Sequence, residues 1–93
     1  ELYFAIHAAN DVIENVPTIK DPTLNANQIV GEAYFLRSMC FFYLTRLYGK
    51  IPIVTQTSKS PNQDFNVSRS EVPAVYEQII ADLLQAEELL NAT

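Results

Sequence analysis

The 93-residue chain has one cysteine, one histidine and two glycines, and its six basic side chains face eleven acidic ones. Each scarcity removes a class of function. Cys40 has no partner for an internal disulfide, so it says nothing about redox compartment. Set between Met39 and Phe41, it is expected as a small core residue. His7 has no second histidine and no cysteine at ligand spacing, which argues against a zinc site. It reads as an ordinary helix residue. Gly31 and Gly49 stand far apart and make no phosphate-cradling loop. The Lys and Arg residues are scattered under a net charge of −5, with no basic stripe for nucleic acid.

A long apolar run is missing too. The segment GEAYFLRSMCFFYLTRLYGKIPIV at 31–54 is rich in aromatics, yet only residues 39–44 run without a break. A membrane span takes about 20 residues. Arg37 and Ser38 close one side of the run, and Thr45 and Arg46 the other, so a span is excluded.

What is present is helical periodicity. The apolar share is 48%, enough for one domain or part of one, with a modest core. Leu2, Ile6, Ala9, Val12, Ile13 and Val16 recur at helical spacing and predict a helix over 1–16, ended by Pro17. A second helix is expected over about 25–48, capped by Asn25 or Asn27 and closed by Gly49 in a left-handed conformation. Residues 49–69 read as a long loop, with 51–55 extended and able to form a short strand. Ser70 is expected to cap a third helix over about 70–91, with Pro73 in its first turn; Ser68 with Glu71 is the alternative capping box. The chain opens inside an apolar-periodic segment, without Met or a capping residue. It is therefore expected to be a piece of a longer protein.

On a helical wheel of 100° per residue, the second helix carries Ile29, Val30, Ala33, Tyr34, Leu36, Cys40, Phe41, Leu44, Leu47 and Tyr48 on one broad arc. Asn27, Gln28, Gly31, Ser38, Thr45 and Arg46 lie on the opposite arc. Two features break the division. Phe35 and Phe42, seven residues apart, fall inside the polar arc. Arg37 falls inside the apolar arc. A helix apolar on two sides is expected to be packed on two sides, partly by sequence not present here. Phe35 and Phe42 are expected to pack against other parts of the same protein, with a partner-protein surface as the alternative. A buried Arg37 needs a carboxylate. Asp82 is the favoured partner, ahead of Asp11 and Glu14. Arg37→Ala is then expected to destabilise far more than Lys59→Ala.

No constellation for chemistry emerges. Glu77, Glu87 and Glu88 read as a solvated face of the third helix. The segment 55–66, with its single aromatic Phe65, reads as a solvated connector that is also able to touch a polar ligand. The two sequon-like triplets, at 66–68 and 91–93, are too short to carry weight.

The stretch 31–54 resembles the SusD/RagB family of outer-membrane nutrient-binding lipoproteins. The family's E-x-x-FLRA helix is matched by Glu32, Phe35, Leu36 and Arg37. Its L-x-x-x-YG-x-[IV]-P-[LIV] turn is matched by Leu44, Tyr48, Gly49, Ile51, Pro52 and Ile53. A following R-x-[ST]-x-x-x-[VI]-Y-x-x-I-x-x-DL helix is similar at Arg69, Val75, Tyr76, Ile79, Asp82 and Leu83. A preceding helix is similar at Ile6, Asn10 and Val12. Ser38 stands where Ala is usual, and Pro73 is an unusual choice early in the third helix.

The resemblance implies an all-α fragment: a tetratricopeptide-like helical hairpin plus a third helix of an α-α superhelix. It implies a surface-exposed lipoprotein of the outer membrane in Bacteroidetes. Such a protein captures oligosaccharides or other nutrients and hands them to a TonB-dependent, SusC-like transporter, with no enzyme activity and no cofactor. It also implies that this segment is scaffold on the side of the body that packs toward the transporter. It supplies no catalytic, cofactor-binding or metal residue and identifies no ligand-binding one. The rival readings are a stand-alone helical-repeat module that binds a peptide in its groove and, further off, an enzyme domain.

Overall fold

The computed structural model describes residues 2–56 and 68–92. It is an all-α arrangement of α1 (Leu2–Asn15), a 3₁₀ turn (Val16–Thr18), α2 (Ala26–Tyr48) and α3 (Val72–Asn91). Lys59, Phe65 and most of the 55–66 segment lie outside the described residues. Among the described residues there is no β-strand, only an isolated antiparallel bridge between Ile51 and Ser70. The short strand expected at 51–55 is thus reduced to a single paired residue.

The element ends follow local chemistry. α1 stops at Asn15, one residue short of the expected end, and Pro17 sits inside the 3₁₀ turn that follows. Pro has no N–H for an α-turn, so the chain tightens, and the Ile19 N–H closes on the Val16 carbonyl at 3.0 Å. Asp21 then accepts from the Thr23 amide at 2.9 Å and the Thr23 hydroxyl at 2.7 Å, forming a turn. Of the two candidate caps for α2, Asn25 serves: its side chain accepts from the Gln28 N–H at 3.2 Å. Gly49 ends α2 with φ 74° and ψ −111°, and its N–H returns to the Thr45 carbonyl at 2.8 Å. The positive φ is as expected, but the ψ departs from the left-handed helical value. This backbone is open essentially to glycine alone.

α3 starts two residues later than expected. Ser70 does not cap it: it lies one residue before the cap position, in the bridge, where its N–H donates to the Ile51 carbonyl at 2.8 Å. Extended Glu71 takes the cap position without a side-chain hydrogen bond, and Pro73 occupies the first turn.

α2 is central. The backbones of α1 and α3 each approach α2 and not one another among the described residues. Both pairings are antiparallel. On the α3 side, Gly31 lies against Leu89 and Leu90, Arg37 meets Asp82, and Phe42 meets Tyr76. The core gathers Ile6, Cys40, Phe41, Leu44, Ile51, Val75 and Ile79 between the three helices.

The wheel's polar arc needs correction. Gly31, Ser38 and Thr45, seven residues apart, are buried rather than solvated. Their small side chains let α3 come close; a Cβ on Gly31 would stand 2.9 Å from Leu90 Cγ. The hydroxyls are satisfied locally: Ser38 donates to the Phe35 carbonyl at 2.6 Å, and Thr45 to the Gly49 carbonyl at 2.7 Å. Conversely Leu36, Leu47 and Tyr48, read as core, are exposed. The apolar arc is wider than two neighbouring helices cover.

Candidate functional site

The densest polar constellation lies inside the helices. Arg37 is 4% exposed and Asp82 1%. They form a two-pronged ion pair, Nε to Oδ2 at 2.9 Å and Nη2 to Oδ1 at 2.7 Å. Gln78 donates to the same Oδ1 at 2.9 Å, one helical turn before Asp82. Tyr34 places its ring 5.1 Å from the guanidinium carbon. The favoured partner of Arg37 is therefore the observed one, and Asp11 and Glu14 are not its partners. Asp82 sits on the α2-facing side of α3, while Glu77, Glu87 and Glu88 face solvent as expected.

Asn10 of α1 completes the cluster. It is fully buried and accepts from Arg37 Nη1 at 3.0 Å. Its amide donates to the Val54 carbonyl at 3.1 Å and, at the outer edge of hydrogen bonding, to the Gln56 carbonyl at 3.5 Å. Arg37 Nη1 reaches the intervening Thr55 carbonyl, also at 3.5 Å. Three consecutive backbone carbonyls are thus held by two side chains from different helices. Together with the Ile51–Ser70 pair, these bonds strap residues 51–56 across the helices. No buried side-chain nitrogen or oxygen among the described residues lacks a partner. The cluster is a closed knot, its buried polar side-chain atoms spent on one another and on backbone.

The other named residues fall outside any site. His7 is exposed on α1. Cys40 is buried, and desolvation pushes its thiol above the ordinary value, which keeps it protonated and unreactive. Among the described residues no group of His, Cys, Asp and Glu is placed to hold a metal, and no helix is long and apolar enough to cross a membrane.

Among the described residues, the surface carries two apolar grooves between α1 and α2, one of them lined by Leu2, Tyr3, Leu44, Leu47 and Tyr48, and a separate apolar feature. The other groove is lined by Ala8, Ala9, Val12, Ile29, Ala33 and Leu36. At about 230 Å³ it is smaller than small-molecule sites of roughly 300–1,000 Å³. Its only polar lining residue is Glu32, and a sugar needs several converging hydrogen-bonding groups. The separate feature is aromatic. Phe35, 49% exposed, stands on the outer side of the α2–α3 pair, whereas Phe42 is partly buried against the core and lies edge-on to Tyr76 at 6.4 Å. Of the two phenylalanines, then, only Phe42 finds cover within the described residues.

The signals in the sequence explain what was found and missed. Arg37 and Asp82 were visible because a charge on an apolar arc demands an opposite one. Asn10 carried no such demand, being neutral, although it belongs to the helix motif read as Ile6, Asn10 and Val12. The strapped carbonyls are backbone atoms, which residue types do not reveal.

Comparison with known proteins agrees with this geometry. A SusD-like family model described as "Starch-binding associating with outer membrane" matches residues 1–93. SusD-like protein P2 of Formosa agariphila is 34% identical over 93 residues, covering 100% of this chain and 18% of that protein. A SusD superfamily structure from Bacteroides thetaiotaomicron superposes with a TM-score of 0.83 at 28% identity, over 95% of this chain and 22% of its own. A SusD-like protein from Bacteroides fragilis shares the fold at a TM-score of 0.85 with 24% identity, over 95% of this chain and 17% of its own. Arg37 and Asp82, which carry sequence motifs, also lock α2 to α3 and, through Asn10, to α1, while the turn at Gly49 closes α2. By its full-length family match and by its fold, the chain belongs to the SusD-like family.

Proposed function

We propose that the chain is part of the helical framework of a cell-surface, SusD-like protein that binds oligosaccharides. In this reading the protein works with a TonB-dependent outer-membrane transporter in nutrient uptake and is not an enzyme. The observation that carries the proposal is the family match across residues 1–93. The chain spans 18% of the length of the curated relative it matches, so ligand contacts fall to sequence elsewhere in the protein. The closed knot supports a framework role, because its polar groups are spent on one another and on backbone. So does the absence of converging polar groups in the α1–α2 groove at Glu32. The lipid anchor and the position at the cell surface belong to the same proposal.

The test uses the full-length protein. It is expected to bind at least one oligosaccharide from a panel of bacterial, algal and plant glycans by calorimetry, and to leave that ligand uncleaved. It is expected to co-purify with a TonB-dependent transporter encoded beside it. Turnover of the bound glycan, or binding to neither the glycans nor the transporter, would overturn the reading.

A further inference from the structure

The strap at 51–56 is held in two unlike ways. Ile51 is buried in the core, its carbonyl bound by the Ser70 N–H at 2.8 Å, and Ile53 packs against the same core. Val54 and Thr55 are half-buried, Gln56 is exposed, and none of the three belongs to the core. They are held by their carbonyls. Asn10 Nδ2 donates to Val54 at 3.1 Å and to Gln56 at 3.5 Å, and Arg37 Nη1 donates to Thr55 at 3.5 Å. Only the first of these bonds has an ordinary length. The Asn10 side chain fits in one orientation. A guanidinium donates and never accepts, so Oδ1 faces Arg37; carbonyls accept and never donate, so Nδ2 faces the strap.

One carboxamide thus joins two sets of bonds, and the sets are separable. Without the strap, Arg37 keeps Nε and Nη2 on Asp82 and Nη1 on Asn10 Oδ1, so every guanidinium nitrogen still has an acceptor. Asp82 keeps Arg37 and Gln78. The bonds lost are those of Asn10 Nδ2 and of one Arg37 Nη1 hydrogen. Both donors face the space that the strap vacates, where water takes the place of the carbonyls.

We infer that residues 54–56 form a latch and that the Asn10 carboxamide is its catch. The latch lifts off as a local unit while the Arg37–Asp82 pair stays shut and Ile51 stays in the core. Asparagine is the side chain that such a catch needs, because it accepts from the arginine and donates to the strap at once. Aspartate, of the same size, accepts only, and would set a carboxylate against the Val54 and Gln56 carbonyl oxygens. The framework then has a fixed part, the helices with 51–53, and a releasable part, and one residue of α1 decides between held and free. The inference is independent of which ligand the whole protein binds.

The experiment uses the full-length protein carrying Val54→Cys, with and without Asn10→Asp, under native conditions. A maleimide is added, and the modification of each cysteine is followed by peptide mass spectrometry. Buried Cys40, a member of the core, is the built-in reporter of the helical body. Asn10→Asp is expected to speed labelling at position 54 at least about fivefold, the factor that one lost hydrogen bond gives. Labelling of Cys40 is expected to stay within about twofold, since a covered thiol reacts through opening of its own surroundings. Equal acceleration at both positions would show that strap and helices open together, and would refute the latch. No acceleration at position 54 would refute Asn10 as its catch. Asn10→Ala, which removes the catch without adding a charge, is labelled alongside and is expected to free position 54 even where the aspartate variant does not fold. Loss of the fold in both variants would overturn the inference as well, by showing that the body cannot form without the side chain that holds the strap.

Discussion

Truncating Arg37 to alanine would leave Asp82 a buried carboxylate with Gln78 as its remaining side-chain donor. Arg37→Ala is therefore expected to destabilise by about 3–5 kcal/mol in denaturant unfolding. Lys20→Ala, at an exposed position, is expected to stay within about 0.5 kcal/mol. The double variant Arg37→Met with Asp82→Leu should recover part of the loss, because it removes both charges from the interior while leaving the buried Asn10 Oδ1 without its donor. The pair was legible in the sequence as a charge misplaced on an apolar arc. Asn10, buried just as deeply, was not, since an uncharged amide is tolerated on either face. A second residue-scale expectation concerns Asp21. The Thr23 hydroxyl first, and then the Thr23 amide, hold its carboxyl below the ordinary value of 3.8. A lowered folded value means the interaction stabilises above the unfolded pKa and is lost as pH falls through the folded one. Thr23→Ala should move the Asp21 titration upward toward 3.8 when followed by NMR.

At the scale of the element, α2 shows what a wheel reads and what it misses. Its ends were legible: Asn25 and Gly49 act where their chemistry places them. Its faces were half legible, because a wheel sorts residues by polarity and helices also pack by size. Gly31, Ser38 and Thr45 look solvated by polarity and prove buried by smallness. Gly31→Ala tests this. The added methyl meets Leu90 Cγ at 2.9 Å and Leu89 Cβ at 3.3 Å. Leu90 can swing aside, but Leu89 Cβ is fixed to its backbone, so the last turn of α3 must shift. Overpacking of roughly 1–3 kcal/mol outweighs a helix-propensity gain of about 1 kcal/mol, and the variant should melt lower than the parent. Gly49→Ala meets no neighbour, yet φ 74° strains any side chain there. A loss of about 1–3 kcal/mol in chemical unfolding is expected, with the helices otherwise unchanged. The start of α3 was misplaced for a different reason. Ser70 is a good cap by type, but the helix opens only after extended Glu71, and Ser70 pairs with Ile51, a partner nineteen residues away that local spacing does not disclose.

The whole molecule is a slab rather than a ball. Its radius of gyration is 13.8 Å, against about 12.3 Å for a compact chain of this length. A body this thin leaves large apolar side chains such as Phe35, Leu47 and Leu84 exposed. If the knot is framework and not binding site, the full-length Arg37→Met, Asp82→Leu double variant should hold its oligosaccharide with a Kd within about twofold of the parent, a difference of roughly 0.4 kcal/mol by calorimetry. The strap at 51–56 adds one more consequence. Residues 54 and 55 are held beside Asn10 and Arg37, and Ser70 is pinned next to Ile51. Both gateposts are set by the body itself: Asn10 and Arg37 hold one and the Ile51–Ser70 pair the other, so the three rods are lashed crosswise as well as glued by their apolar core.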